Sequence, residues 1–458
     1  MFYAFKPDWT SGGPLDECDR KLSTKWQRNL HLITEKAASP QLYLNKIENL
    51  NATHPDWPFA IVRLGRAYLL LEDVHGALEQ FEKALRLLSP LHDGKFERYV
   101  EGLRAYVKTD TNRDPSPFRK DLETEEGIKR LVDDEWANPA DGVITSPWAP
   151  PQEIGQYRFS DASGASSNIK SAWESLLSED STGIMSSRYA RLVCIETNEI
   201  EGVFALAGES LPRLVNVGFY TGAIDRVEAE LGHGVQEPQK IVSILGDLQN
   251  GLDFLSNTVV KDPRQMNEDA ICQIHQITMK SSRIGSHYDG ENTIFYLTHP
   301  GVYRKRLITT SLAPEEIVQY THQSTVPSEM NSFVHMMRAS KCLEERDIPP
   351  FAAAAWIHAT FARIHPFTDG NGRVSRLLAS LPLIHAGYPF INVRVHYREA
   401  YLQALYKAQT TPDLQPLMDI LASSMVDSID YIRSLPPASP EDAQYRVQAD
   451  LGHTRLSL

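Results

Sequence analysis

Residues 365–376 form the segment of the sequence with the clearest potential for chemistry. They read His-Pro-Phe-Thr-Asp-Gly-Asn-Gly-Arg-Val-Ser-Arg. Gly370 and Gly372 allow a tight loop in which successive backbone N–H groups point into one concavity, a geometry that binds anions. A helix that begins at about Gly372 would direct its positive N-terminal end to the same place. The segment therefore predicts an anion site at a helix N-terminus.

The side chains around this predicted site suit a nucleoside triphosphate. Asp369 can hold a magnesium ion through one carboxylate oxygen, while water and phosphate oxygens complete the octahedron. Arg373 and Arg376 are three residues apart, so they share a helical face and can both reach phosphates. His365 can accept a proton near neutral pH. Each residue alone has a more ordinary structural explanation, but their combination within 12 residues predicts nucleotide chemistry.

This segment resembles, without a mismatch, the HPFxDGNGRxxR signature of the Fic family, and the resemblance extends over roughly residues 187–432. It implies transfer of a nucleoside monophosphate, usually AMP from ATP, to a Ser, Thr or Tyr hydroxyl of a target protein, with pyrophosphate as the leaving group. By this resemblance His365 deprotonates the hydroxyl and Asp369 coordinates Mg²⁺. The residues expected to hold the phosphates are Gly370, Asn371, Gly372, Arg373 and Arg376.

A second motif lies far upstream. Residues 197–202, Thr-Asn-Glu-Ile-Glu-Gly, resemble the [S/T]xxxE[G/N] inhibitory motif of Fic proteins whose regulatory helix precedes the core. The resemblance implies that Thr197, Glu201 and Gly202 are regulatory, with Glu201 paired to Arg376 in the place that the γ-phosphate needs. Two alternatives stay open at this point. One is a solvated helix end that Gly202 terminates, and the other is a carboxylate that positions water for removal of AMP.

Residues that favour β-structure are concentrated between positions 293 and 310, and a Pro-Gly pair at 300–301 interrupts them. This pattern predicts a β-hairpin. It corresponds to the flap of the Fic family, whose edge would pair with an extended segment of the target protein. The alternative is a plain surface hairpin. The flap residues expected to contact the target are Val302, Tyr303 and Arg304.

Contacts to the adenine are predicted from position alone. Tyr397, Tyr401 and Gln409 fall where Fic proteins surround the base, and of these we assign Tyr401 and Gln409 to nucleotide binding. Two tyrosines four residues apart are also common in cores. A relative has asparagine where this chain has Gln409, which leaves the identity of the base open.

A strongly apolar helix should precede the chemical segment. The Asp-Ile-Pro-Pro sequence at 347–350 is typical of a helix start, and the apolar run at 351–357 predicts a buried helix. His365 should end it with an extended backbone, because the residue before a proline is disfavoured in the α conformation. His358, on the same helix, is predicted to be a packed core histidine.

Residues 58–90 have the spacing of a tetratricopeptide repeat. Because one repeat cannot bury its apolar face alone, we expect helices at 22–50 and 95–107 to stack on it. A plain helical hairpin is the alternative. The residues that define the repeat are Leu64, Gly65, Tyr68, Ala77, Phe81 and Ala84.

Together these elements predict an all-α protein, in which a Fic helical core with a β-hairpin flap follows a helical module like a tetratricopeptide repeat. The module should occupy residues 1–110, with the repeat at about 58–90. A connector rich in proline and acidic residues follows at 111–167. The Fic domain is expected at 168–435, with the inhibitory helix at about 187–202, and a loose tail at 436–458.

Composition restricts the partners. The 458 residues include 46 basic and 59 acidic side chains, for a net charge of −13, which argues against nucleic acid because phosphate-backbone binding needs a basic face. The sequence has neither a membrane-length apolar run nor a secretion signal, so we expect an intracellular protein, cytoplasmic or nuclear. The expected partners are ATP with Mg²⁺ and a target protein held by the flap and the helical module. A second copy of the chain, in a homodimer, is a further candidate.

Two other functions fit the sequence. The same core can use another donor, such as UTP or a phosphocholine nucleotide. Alternatively, the chain is a peptide-binding scaffold whose Fic core is inert. The intact His365, Asp369 and arginine pair argue against the second alternative.

Overall fold

The computed structural model describes residues 40–88, 94–109, 119–122, 124–133, 144–146, 148–160, 163–180, 182–227, 234–288, 293–305, 308–313, 316–340 and 348–437. Three parts of the predictions lie outside these residues: the stretch 22–39 of the helices predicted at 22–50, the first residue of the helix start predicted at 347–350, and most of the predicted tail. The chain divides into two compact units. The first contains residues 1–143, 283–298 and 305–308, and the second contains 144–282, 299–304 and 309–458.

Six helices of the first unit are described. They are α1 (Pro40–Thr53), α2 (Pro58–Leu70), α3 (Val74–Leu88), α4 (Lys95–Thr109), α5 (Arg119–Leu122) and α6 (Glu125–Asp133). A proline opens α2, where its missing N–H has no helical partner to lose.

The α2–α3 pair forms the core of this helical module. The buried ring of Phe81 lies against Gly65 and meets Phe96 and Tyr99 of α4 edge to face. Ile128 of α6 is buried in the same cluster, so part of the segment predicted as a connector packs with the module. The assignment to the tetratricopeptide family stays a prediction.

The second unit is built mainly from ten helices in its described residues. They are α7 (Ser163–Ser178), α8 (Ile184–Ile200), α9 (Ser210–Val217), α10 (Pro238–Phe254), α11 (Glu268–Thr278), α12 (Val326–Ala339), α13 (Pro350–Ile364), α14 (Asn371–His385), α15 (Arg398–Thr410) and α16 (Gln415–Ser434).

Helix α13 lies at the centre of the second unit. Every residue from Phe351 to Ile364 is buried, and the helix contacts α12, α14, α15 and α16. The predicted buried helix is therefore confirmed. Because apolar side chains cover all its faces, α13 gives the following loop a fixed starting point.

The strands are short. They are β1 (Ile144–Ser146), β2 (Leu206–Ala207), β3 (Arg226–Val227), β4 (Ile284–Tyr288), β5 (Thr293–Leu297), β6 (Thr309–Ala313) and β7 (Glu316–Gln319). Strand β7 pairs with β6 in antiparallel and with β1 in parallel orientation. The pairs β2–β3 and β4–β5 are antiparallel.

The predicted turn of the β-hairpin at 300–301 is wrong. Strand β5 pairs with the preceding strand β4, so that Leu297 lies opposite Ile284. Leu297 is buried in a cluster with residues of α1 and α2, and its N–H donates to the carbonyl of Leu71 at 2.8 Å. Burial of β5 on the helical module thus decides the pairing, which a local turn signal cannot reveal.

No helix in the described ranges is both long and apolar enough to cross a membrane.

Candidate active site

His365 follows the last residue of α13, so the helix ends where predicted. Its backbone is left-handed, with a φ of 53°, and not extended as predicted. Its Nδ1 lies 3.2 Å from the carbonyl oxygen of Ala362. Because a carbonyl only accepts, the neutral ring carries its proton on Nδ1, and Nε2 is the basic nitrogen. Burial, reinforced by the cation of Arg304, lowers the pKa of His365 to about 4. The imidazole is therefore an uncharged base at neutral pH.

Arg304 holds the turn at His365 in place. Its N–H donates to the Pro366 carbonyl at 2.9 Å, and its Nε donates to the His365 carbonyl at 2.7 Å. Nη2 donates to the carbonyls of Ile364 and Thr321. These bonds satisfy carbonyls that a helix end leaves without partners. They offset the strain of a non-glycine residue with positive φ.

The loop after His365 closes on itself. The side chain of Asn371 accepts from the N–H of Phe367 at 2.9 Å and donates to its carbonyl at 2.7 Å. Gly370 has a φ of 79°, and its N–H donates to Asp369 Oδ1 at 2.6 Å. Helix α14 starts at Asn371, one residue from the predicted start. We call the loop 367–372, together with the first turn of α14, the phosphate cup.

The two predicted arginines are buried but held very differently. Arg376 donates from Nε to the Thr197 hydroxyl at 2.6 Å, from Nη2 to the Thr197 carbonyl at 3.0 Å and from Nη1 to the Tyr401 hydroxyl at 3.1 Å. Arg373 makes longer bonds, 3.3 Å to Asn198 and 3.5 Å to Ser282. Its Nε has no partner among the described residues, so its bonding capacity is only partly used.

Glu201 reaches the phosphate cup from the end of α8. Its Oε1 lies 2.6 Å from Nη2 of Arg376. Burial alone would raise the pKa of Glu201, but Arg376 and Arg373 outweigh it and keep this pKa below its usual value. Gly202 follows with a φ of 68° and ends the helix. Thr197 and Asn198 of the same motif are buried, whereas the Glu201 side chain keeps 30% of its surface exposed, so only the last residues of the motif resemble the solvated helix end of the alternative.

The Glu201 carboxylate also lies against Gly372. A Cβ atom at this position would overlap the carboxylate oxygens. Gly372 is in the first turn of α14, where unpaired N–H groups and the helix dipole favour an anion. The structure therefore holds the carboxylate of Glu201 at the end of the helix where the sequence predicts phosphate binding.

The residues predicted to surround the adenine differ in burial and in hydrogen bonding. Tyr401 is buried, and its hydroxyl accepts from Arg376 and lies 2.6 Å from Nε2 of His358. Since the guanidinium can only donate, the tyrosine proton is available to His358. Gln409 and Tyr397 are only partly buried. His358 is fully buried, as predicted, and burial lowers its pKa to about 3.

Of the three residues predicted to contact a target, Val302 is exposed, with 48% of its surface accessible. Tyr303 donates its hydroxyl to Glu268 at 3.2 Å and packs against Phe367. Arg304 is buried and bonded to the turn at His365, so it does not face solvent. This differs from the prediction, because a run of basic residues in sequence does not reveal which member is needed inside.

The described residues contain no group of three or more His, Cys, Asp or Glu side chains able to hold a metal ion. Asp369 is a single carboxylate, with 29% of its side chain exposed, that lies 3.5 Å from Arg373. This fits the way Mg²⁺ binds with nucleotides, through one or two carboxylates plus phosphates and water.

Two residues of the site were not predicted from the sequence. Tyr320 stacks on the ring of His365, and His275 of α11 stacks on Phe367 with 3.7 Å between ring centroids. Both lie outside the motifs, and a lone aromatic or histidine carries no signal of such a contact.

Comparison with known proteins gives a family for this region. Residues 265–383 match the model of the Fic/DOC family. They include His275, Val302 and the whole of 365–376, but neither the 197–202 motif nor Tyr401.

Among the curated relatives, the chain is similar to a protein named protein adenylyltransferase Fic from Nematostella vectensis. The two are 28% identical over 194 residues, 41% of this chain and 38% of the relative. It is also 37% identical over 93 residues, 20% of this chain and 18% of the relative, to protein adenylyltransferase fic-1 from Caenorhabditis elegans. The chain thus spans less than two fifths of these relatives.

A solved structure of Fic-1 (residues 134–508) from C. elegans aligns with 92% of this chain and 97% of its own, at 18% identity and a TM-score of 0.41.

Proposed function

Because this chain carries a Fic domain, we propose that it is an autoinhibited protein adenylyltransferase that transfers AMP from ATP to hydroxyl side chains of a target protein. One observation carries the proposal. A neutral imidazole, His365, a glycine-lined phosphate cup and two buried arginines are brought together by one helix–loop–helix, and an internal carboxylate occupies the cup.

The residues have distinct parts in the proposed reaction. Nε2 of His365 takes the proton of the target hydroxyl as its oxygen bonds to the α-phosphorus of ATP. The bond between the α-phosphorus and the oxygen bridging to the β-phosphate breaks, and pyrophosphate leaves with the electron pair. Arg373, Arg376 and the backbone N–H groups of the cup would stabilise its charge. Mg²⁺ held by Asp369 would supply further neutralisation of the phosphate oxygens.

The contact between Glu201 and Arg376 would inhibit this reaction. Arg376 cannot pair with a phosphate while Glu201 and Thr197 hold it, and a carboxylate at the helix N-terminus repels a second anion. Removing Glu201 removes both effects. We therefore expect Glu201→Gly to increase transfer by about tenfold or more, since each 1.4 kcal/mol of lost competition is a factor of ten.

Removal of AMP at the same site is a second candidate reaction, favoured by a specific observation. The pKa of the Glu201 carboxyl is lowered, so it is ionised at neutral pH, and it interacts electrostatically with His365. An ionised carboxylate in this place can orient a water molecule toward the phosphorus of an adenylated side chain. As the water oxygen bonds to phosphorus, the bond from phosphorus to the side-chain oxygen breaks, and AMP and the free hydroxyl are released. Under this proposal Glu201 restrains transfer and assists hydrolysis.

Target binding is proposed at the exposed Val302. It lies two residues before Arg304, whose bonds fix the turn at His365, so a target segment at Val302 would be placed relative to the base. The helical module is proposed as a second contact for the target.

Incubation with ATP labelled at the α-phosphate and a cell extract tests the proposed function. We expect weak labelling with the wild-type chain, strong labelling with Glu201→Gly, and none with Glu201→Gly/His365→Ala. Unlabelled UTP and CDP-choline as competitors distinguish other donors, because only ATP should suppress the label. Equal labelling with and without His365 would reject its role as the base, and no labelling by any variant would favour the inert scaffold.

A further inference from the structure

His275 uses both ring nitrogens to hold two separate backbone segments. The N–H of Gly301 donates to Nδ1 at 2.7 Å, and Nε2 lies 3.0 Å from the carbonyl oxygen of Asp369. Because Nδ1 accepts, the ring proton is on Nε2 and is donated to Asp369. The side chain is 1% exposed, so water does not compete for either bond.

Stacking fixes the plane of this ring. The rings of His275 and Phe367 are nearly parallel, with 5° between planes, and the backbone of Phe367 is in turn closed by Asn371. The imidazole therefore cannot rotate without disturbing the loop. Its two nitrogens are a rigid spacer between Gly301 and Asp369.

The two backbone segments that His275 holds adjoin the proposed binding sites of the two substrates, the target protein and ATP. Gly301 directly precedes the exposed Val302, the proposed target contact. Asp369 directly precedes Gly370 in the phosphate cup and carries the proposed metal ligand. We propose that His275 is a positioning residue that sets the separation between the target-contact segment and the phosphate cup. The inference rests on the proposed transferase function.

The consequence for catalysis follows from the need for alignment. Transfer requires the target hydroxyl, the α-phosphorus and the leaving oxygen to be in line, and a displacement of about 1 Å can cost on the order of a hundredfold in rate. In this proposal His275 does not contact a substrate. It would affect catalysis only by positioning the two backbone segments at Gly301 and Asp369.

Three substitutions separate the two bonds, because amide side chains of different length replace different nitrogens. Asparagine places an oxygen where Nδ1 was, and so keeps the bond to Gly301. Glutamine places an amide N–H where Nε2 was, and so keeps the bond to Asp369. Phenylalanine keeps the stack on Phe367 and loses both bonds. Each would be made in the Glu201→Gly chain, with the exposed His335→Asn as control.

The measurements are affinity for a fluorescent ATP analogue with Mg²⁺, the rate of label transfer from ATP to proteins of a cell extract, and thermal unfolding. We expect His275→Asn to weaken nucleotide binding by about tenfold. His275→Gln should bind within about threefold of the parent and transfer about tenfold more slowly. His275→Phe should lose both nucleotide binding and transfer, whereas the control His335→Asn should lose neither.

Other results would overturn the inference. Binding and transfer at the parent level in all three variants would remove His275 from the site. Equal losses in the asparagine and glutamine variants, or unfolding of all three, would make it an ordinary core residue. If the Glu201→Gly parent binds the nucleotide but labels nothing, the proposed function fails, while the binding comparison still decides on His275. If the parent does neither, both proposals fall.

Discussion

The ring of Tyr320 stacks on the imidazole of His365, with 4.0 Å between centroids and 16° between planes. Tyr320 is buried and directly follows β7, while His365 follows α13. The stack covers one face of the base with an apolar surface and excludes water from it. Together with Arg304, it explains why a histidine at a strained turn keeps one ring orientation.

Loss of this stack should slow the reaction. We expect Tyr320→Leu in the Glu201→Gly chain to lower the transfer rate by about tenfold at most, because aromatic pairs contribute about 0.5–1.5 kcal/mol beyond the area they bury. Tyr320→Phe keeps the ring face and should stay within about threefold of the parent. The measurement is the rate at saturating ATP. A leucine variant as active as the phenylalanine variant would show that the stack does not orient the base.

Thr197 should contribute to inhibition separately from Glu201. Its hydroxyl accepts from Nε of Arg376 at 2.6 Å, and hydrogen bonds to charged groups contribute about 1.5–3 kcal/mol. Thr197→Val keeps the shape and removes this acceptor, although the carbonyl of Thr197 remains. We expect transfer by the otherwise wild-type chain to rise, by less than in Glu201→Gly.

Thr197→Ser supplies the control, because it retains the hydroxyl and should transfer as slowly as the wild type. A valine variant that is equally slow would assign the inhibition to the Glu201 carboxylate alone.

Gly372 and Glu201 should be coupled in stability. A methyl group at position 372 would overlap the carboxylate and force it away from Arg376. We expect Gly372→Ala to lower the Tm of the wild-type chain by on the order of 2 °C, but to change the Tm of Glu201→Gly much less. Thermal unfolding of the four chains in a double-mutant cycle measures this coupling. Equal shifts in both backgrounds would mean that the clash is not with Glu201.

The pH dependence of transfer should reflect the lowered pKa of His365. The base is active when neutral, and with a pKa of about 4 it stays neutral well below the pH at which a free imidazole is protonated. Glu201 raises this pKa, so its removal lowers the midpoint further. In Glu201→Gly we expect a constant rate from about pH 8 to about pH 5 and a loss below that. Circular dichroism at each pH checks folding. A midpoint near 6.5 would show a solvated imidazole instead.

The sequence identified those parts of the site that depend on local rules. Proline after His365 stops α13, and glycine at 370 permits the left-handed turn, so the cup could be predicted from neighbouring residues. The pairing of Glu201 with Arg376 was predictable only through a resemblance, because 175 residues separate them.

Contacts that depend on tertiary packing escaped prediction. Nothing near Tyr320 or His275 in sequence indicates a partner in the loop at 365–372. The sequence predicts that strand β5 pairs with the residues after Gly301, whereas burial of Leu297 on the helical module favours pairing with β4. In sequence, Arg304 is one of several adjacent basic residues. Its burial is explained by its hydrogen bonds to the carbonyls of the turn at His365, which the sequence does not reveal.

Tyr401 has two possible roles, as a contact to the adenine or as a support for Arg376, and the substitution Tyr401→Phe distinguishes them. As an adenine contact it would act through its ring, which Tyr401→Phe preserves, so nucleotide affinity would not change. In the structure its hydroxyl links Arg376 to His358. Loss of this hydroxyl leaves one guanidinium N–H and one buried imidazole nitrogen without their partner. An unsatisfied buried group costs about 1–3 kcal/mol.

We therefore expect Tyr401→Phe to lower the Tm and, in the Glu201→Gly chain, to reduce the transfer rate by about tenfold with little change in affinity for the ATP analogue. The reason is that Arg376, once released by Glu201, depends on the Tyr401 hydroxyl to point into the cup. Tyr397→Phe is the matched control, since this partly buried tyrosine precedes α15 and should leave both the rate and the Tm unchanged. Weaker nucleotide binding by Tyr401→Phe at an unchanged rate would instead favour a direct hydrogen bond from the hydroxyl to the nucleotide.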